Sequence, residues 1–202
     1  MDIILQTYFN NSLLPQGQRA GTFDNFDRPV GTSLGVTSGD GKLWRYESNG
    51  VTPLWRTSSG GTAVNVSGDS RNVAYVDALA TNGKLSVTAA SLGSTRVGGL
   101  AFRYQDINNH LFVWQASDTA GLAIYKRVAG TATKIGDSTY VPVNGDVYEV
   151  ELNGSNIILR VNGSTKATAT ESTFLGETRM GLVGTSSSFQ MGWDNFSFTP
   201  TA

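Results

Sequence analysis

Two carboxylates, Glu149 and Glu151, stand two residues apart within Tyr148-Glu149-Val150-Glu151-Leu152. On a strand, such residues project from the same face. Retaining glycoside hydrolysis uses two carboxyls about 5–5.5 Å apart across the scissile bond, so this spacing is compatible with that chemistry. A solvated strand face is the plainer reading, and the chain is not expected to be an enzyme. His110 is the only histidine. A Ser-His-Asp triad would depend on it, and no Gly-x-Ser-x-Gly elbow supplies a nucleophile. His110 is therefore expected at the surface, near a strand end. The absence of cysteine excludes a thiolate nucleophile, a disulfide framework and a Cys-based zinc site. Asp106 and Asn108, in Asp106-Ile107-Asn108-Asn109, offer oxygen atoms to calcium, as does Ser67-Gly68-Asp69. Calcium takes about six to eight oxygens, and neither loop is densely acidic. Asx-turn roles are favoured, and no cofactor is expected.

A different set of residues suits recognition. In His110-Leu111-Phe112-Val113-Trp114-Gln115, large side chains occupy both parities. If Leu111 and Val113 face the core, Phe112 and Trp114 face outward. A sheet needs only one apolar face for its core, so the second must meet a further layer, a sugar ring or another subunit. Arg103, Tyr125 and Arg127 on neighbouring strands would join Phe112 and Trp114 on that face. An aromatic ring beside guanidinium groups can stack a sugar and bond its hydroxyls. The same combination anchors protein interfaces. Trp44, Trp55 and Trp193 are expected in the core.

The elements that must hold these residues are strands. Leu100, Phe102 and Tyr104 alternate with Gly99, Ala101 and Arg103, and Leu122 to Val128 follows beyond a turn. Period-two patterning continues at Phe23–Phe26, Leu43–Tyr46, Ala63–Val66, Val73–Leu79, Lys84–Ala90, Thr131–Ile135, Asp146–Leu152, Asn156–Val161, Lys166–Thr170, Arg179–Val183 and Phe189–Phe198. Asn82-Gly83, Asn144-Gly145, Asn153-Gly154 and Asn162-Gly163 punctuate these runs as hairpin signals. No window carries a helical apolar stripe. Phe189, Met191 and Trp193 share one parity and Phe196 and Phe198 the other, so a bulge or a change of sheet is expected near Trp193-Asp194-Asn195. The fold class is all-β: a two-sheet antiparallel sandwich over 22–202, preceded by an arm over 1–21.

The 202 residues suit one such domain. A formal charge of −1 with 15% charged residues gives no electrostatic footprint for nucleic acid. No stretch approaches a membrane span, and the first residues do not form a signal peptide.

Three motifs in order resemble concanavalin A-like (laminin-G-like) jelly-roll domains. They are Asp24-Asn25-Phe26-Asp27-Arg28 with Leu34-Gly35 and Trp44, the Asn144-to-Gly163 hairpin region, and Gly181-Leu182-Val183-Gly184 followed by Trp193-Asp194-Asn195-Phe196. A jelly-roll glucanase of this superfamily would carry a third acidic residue, and Asn153 stands in its place. The Thr/Gly/Asn-rich chain is also similar to minor tail proteins of bacteriophages that infect actinobacteria. That resemblance implies a structural virion component with other tail proteins as partners, a homo-oligomer, and contact with host-surface glycans. Outside a virion it implies an extracellular surface. The alternatives are a carbohydrate-binding module with no virion role and, more weakly, a glycoside hydrolase.

The arm, Met1 to Gly21, holds Ile3, Ile4, Leu5, Tyr8, Phe9, Leu13 and Leu14 outside the strand pattern. Leaving them in water is unfavourable by about 25 cal/mol per Å², so burial is expected, either against the arm's own domain or, as a virion role would imply, against another subunit. Removing residues 1–21 should leave a folded sandwich that no longer assembles. Sedimentation with circular dichroism checks this; normal assembly or unfolding of the truncated chain would contradict it.

Overall fold

The computed structural model describes residues 21–50, 52–67, 71–92, 98–115, 121–185 and 191–201. The arm residues Ile3, Ile4, Leu5, Tyr8, Phe9, Leu13 and Leu14 lie outside them, as do Phe189 and the Gly68-Asp69 loop. Among the described residues there are fifteen strands and no helix. They form two antiparallel sheets. One has the order β13 (Ser164–Thr170), β12 (Asn156–Val161), β11 (Val147–Asn153), β6 (Gly83–Ser91), β15 (Gly192–Pro200), β4 (Ala63–Ser67) and β3 (Leu54–Thr57). The short β1 (Thr22–Asp24) also pairs with β15, making this sheet eight-stranded. The other is seven-stranded: β10 (Thr131–Gly136), β9 (Leu122–Val128), β8 (Asn109–Gln115), β7 (Gly98–Asp106), β14 (Arg179–Gly184), β5 (Asn72–Asp77) and β2 (Arg45–Ser48). The expected sandwich is the observed one. β3 carries too little alternation to stand out in sequence.

The core lies between the sheets. Leu85, Val87 and Ala89 of β6, Tyr148, Val150 and Leu152 of β11, and Ile157, Leu159 and Val161 of β12 face Leu100 and Phe102 of β7 and Leu111 and Val113 of β8. Trp44, Trp55 and Trp193 are buried there, as expected. On the eight-stranded sheet most outward positions are polar, and burial alternates along β6, β11 and β12. On the seven-stranded sheet β5, β7 and β14 are buried on both parities.

The turns sort by position. Asn162 and Gly163 take φ of 50° and 77° between β12 and β13, both central residues of the hairpin lying in the left-handed region. Asn82-Gly83 is not a hairpin turn, because β5 and β6 belong to different sheets. At the closing motif the expected bulge is present. Asn195 adopts φ 51°, and the register of β15 on β6 shifts between Asp194 and Ser197. Trp193, Phe196 and Phe198 can therefore all enter the core. The bulge also transfers β15 from β4, paired at Gly192 and Trp193, to β1, paired from Phe196 to Phe198.

The opening motif is a structural clamp. Asp24 is fully buried. Its carboxylate accepts hydrogen bonds from Trp44 Nε1 at 2.7 Å and from the Phe26 backbone N at 3.0 Å, and it pairs with Arg28. Replacing Asp24 with alanine strands a buried indole N–H and a cation. Asp24→Ala should lower stability by about 3–5 kcal/mol, read from the urea unfolding midpoint.

Candidate functional site

β8 lies between β7 and β9, and its outward parity is His110, Phe112 and Trp114. Pairing sets Tyr125 of β9 opposite Phe112 and Arg127 opposite His110. Phe112 stacks on Tyr125 with centroids 5.2 Å apart and rings 18° from parallel, and Trp114 meets Phe112 edge-on at 6.1 Å. The Arg127 guanidinium lies over the Phe112 ring, 5.3 Å from its centroid. Four of the five residues proposed from sequence (Phe112, Trp114, Tyr125 and Arg127) thus share one surface.

Arg103 does not join them. Its φ of 46° places a kink in β7, and the register against β8 shifts between Phe102 and Asp106. Strict alternation, assumed for this strand in the sequence reading, fails at that point. Arg103 is fully buried, and its guanidinium donates to the carbonyls of Glu171, at 3.3 Å, and Gly154, both beside the eight-stranded sheet. It ties the two layers together. The kink also moves Tyr104, which alternation had placed with Leu100 and Phe102, onto the outer face. There Tyr104 packs against Tyr75 at 4.8 Å and His110 at 5.2 Å, with its hydroxyl on Glu47. Burial, reinforced by the Glu47 carboxylate, raises the pKa of the phenol.

His110 is buried, contrary to the surface position expected, because aromatic rings flank it on both sides: Tyr104 and, at 5.3 Å, Phe112. The result is a continuous aromatic row, Tyr75–Tyr104–His110–Phe112, with Trp114 and Tyr125 at its end. His110 Nδ1 is 3.0 Å from the Asp106 carbonyl oxygen, which can only accept, so Nδ1 carries the ring proton.

Beside the row is a cavity of about 230 Å³, lined by Arg71, Val73, Ile107, His110, Phe112, Trp114, Tyr125, Arg127, Ala132 and Val183. On the same face, before its kink, β7 carries only small residues. Ala101 stands opposite Phe112, and Gly99 opposite Val183. Gly99 cannot carry a side chain, since a Cβ there would collide with the Val113 carbonyl. Arg71, Val73 and Val183 were not singled out from sequence. Arg71 precedes its strand, and no local pattern links it to β9.

The other candidates are engaged elsewhere. Asp106 caps its own turn, accepting from Asn108 N at 2.7 Å and Asn109 Nδ2 at 2.9 Å, while Asn108 Oδ1 accepts from Arg71 at 3.3 Å. These two would-be calcium ligands hold N–H donors instead. Glu149 and Glu151 lie on the outer face of the eight-stranded sheet. A single Arg160 nitrogen bridges them, at 3.1 and 2.5 Å, with Lys84 nearby. No carboxylate lines the cavity among the described residues.

Solved structures share this architecture. The carbohydrate binding module CBM66 from Bacillus subtilis superposes with a TM-score of 0.62 at 15% identity, over 77% of this chain and 95% of that one. Domain 4 of AbnA, a GH43 extracellular arabinanase from Geobacillus stearothermophilus solved with arabinotriose, gives 0.58 at 13%, over 90% and 92%. A β-glucanase from Bacillus licheniformis gives 0.55 at 11%, over 91% and 99%. No protein-family model and no curated protein sequence matches the chain. At these identities the likeness defines the fold alone, a two-sheet antiparallel jelly-roll sandwich, consistent with the concanavalin A-like resemblance. The resemblance to phage tail proteins gains no support from these structures.

Burial lowers the His110 pKa to about 4, aided by the Arg127 and Arg71 charges and opposed by the Asp106 carbonyl and carboxylate. In the unfolded chain the ring titrates near 6.5. Between those values the unfolded state binds the extra proton, so folding stability present above about pH 6.5 falls as pH drops toward 4. Chemical denaturation should show a loss of about 2 kcal/mol from this group by about pH 5. The His110→Gln variant, if folded, should lack that component.

Proposed function

We propose that the chain is a non-catalytic glycan-binding domain that takes a saccharide on the outer face of the seven-stranded sheet. One observation carries this reading: an aromatic row ends in the partly exposed Trp114 and Tyr125 at a cavity bordered by two arginines. Sugar rings present apolar C–H faces that stack on such rings, while hydroxyls on the rim bond to guanidinium donors. The similarity in fold to a carbohydrate binding module and to an arabinanase domain solved with arabinotriose supports the same direction. It favours this reading over the virion role implied by sequence resemblance. A place on a phage particle or an extracellular surface, the oligomeric state and the assembly role of residues 1–21 remain separate proposals.

Binding without hydrolysis is supported by where the carboxylates are. Glycoside cleavage requires an acid and a base or nucleophile flanking one bond. Glu149 and Glu151 are bridged by Arg160 on the other sheet, and Glu47 is hydrogen-bonded to the Tyr104 hydroxyl.

A glycan array followed by calorimetry tests the proposal. Trp114→Ala and Tyr125→Ala should each weaken binding at least about tenfold with the unfolding midpoint little changed. Glu149→Gln should leave binding unaltered, and the protein should release no reducing ends from any saccharide it binds. Retained affinity in both aromatic variants would refute this location for the site.

A further inference from the structure

The two arginines of the cavity lack a counter-charge among the described residues. Arg127 Nη1 donates to the Gly130 carbonyl at 2.9 Å, and Arg71 Nη1 reaches the same oxygen at 3.5 Å as well as Asn108 Oδ1. One neutral carbonyl therefore draws two cationic groups together. Arg127 Nε is buried and donates to nothing among the described residues. Neither arginine forms an ion pair among them; the pairs that do form involve Arg28, Lys42, Lys84, Lys126, Lys134, Arg160 and Arg179.

The nearby acids are committed elsewhere. Both carboxylate oxygens of Asp106 accept from its own turn. Glu47 serves the Tyr104 hydroxyl. His110, neutral above about pH 4, adds no third positive charge and supplies no negative one. Like charges brought together in a partly desolvated site repel. An anion lying between them would offset that repulsion. A guanidinium's flat fork matches the two oxygens of a carboxylate or the face of a sulfate, and the apolar walls of Phe112, Val73 and Val183 strengthen such a contact by excluding water.

Resting on the glycan-binding reading above, we infer that the cavity selects acidic saccharides. The uronate carboxylate or sulfate ester would lie between Arg71 and Arg127, with the ring that bears it against Tyr125 and Trp114. A neutral sugar could still stack, but would leave the paired cations uncompensated.

The test uses a panel of uronate- and sulfate-bearing oligosaccharides, each beside its neutral counterpart. For uronates the counterpart is the methyl ester, which keeps the ring and removes the charge. The acidic member should bind at least about tenfold more tightly, with the preference shrinking as salt rises. Arg71→Gln and Arg127→Gln should each abolish the preference, weakening the acidic member at least about tenfold more than the neutral one. Arg71 lies outside the aromatic stack, so its variant tests charge even if Arg127→Gln perturbs folding. Equal binding of acid and ester, or a preference that survives in the Arg71→Gln protein, would overturn acid selection and leave glycan binding standing. No binding to any member of either series would overturn both.

Discussion

A left-handed residue in the middle of a strand sets much of this molecule. At Arg103, φ is 46°, a conformation that costs a side-chain-bearing residue of order 1 kcal/mol or more. Two results of that kink offset its cost. The guanidinium crosses to the carbonyls of Gly154 and Glu171, linking the turn of the β11–β12 hairpin and the segment after β13 to the other sheet. The rest of β7 changes face, so Tyr104 leaves the core parity and joins Tyr75 and His110 outside. With ordinary alternation, Tyr104 would face the core and the aromatic row would be broken at its centre.

The outer face of the seven-stranded sheet is consequently apolar without being a core. Its rings are covered by cations: Arg127 over Phe112, and Arg179 over both Tyr75 and Tyr104. Cation–π contact retains an aromatic surface while keeping its rim polar. The opposite sheet is built differently. Its outer face carries ion pairs such as Arg160 with Glu149 and Glu151, an arrangement suited to water. The two outer faces thus differ in character, one aromatic and covered by cations, the other laced with ion pairs.

Several short acidic motifs that look chemical in sequence prove to serve the backbone. Asp24 satisfies Phe26 N and the Trp44 indole. Asp146 accepts from Tyr140 Oη, Val143 N and Asn162 Nδ2, fixing the approach to β11. Asp106 closes the β7–β8 turn. Buried or loop carboxylates commonly settle such donors.

Sequence alone determined what depends on local chemistry. Period-two alternation and Asn/Gly turns specify strands, because a pleated strand exposes alternate side chains to different surroundings. The both-faced pattern of β8 announced a second apolar surface, and Phe112, Trp114, Tyr125 and Arg127 could be assigned to it through simple cross-strand pairing. The parity change at Trp193-Asp194-Asn195 was legible because large apolar residues on both sides recorded it. At Arg103 no such record exists, since Tyr104 reads as well in the core as outside it. Only tertiary structure decided that His110 is buried, that Arg71 meets Arg127 on the Gly130 carbonyl, and that Asn82-Gly83 leads between sheets. Each of these depends on which distant strands become neighbours, and that is set by closing one core between two sheets.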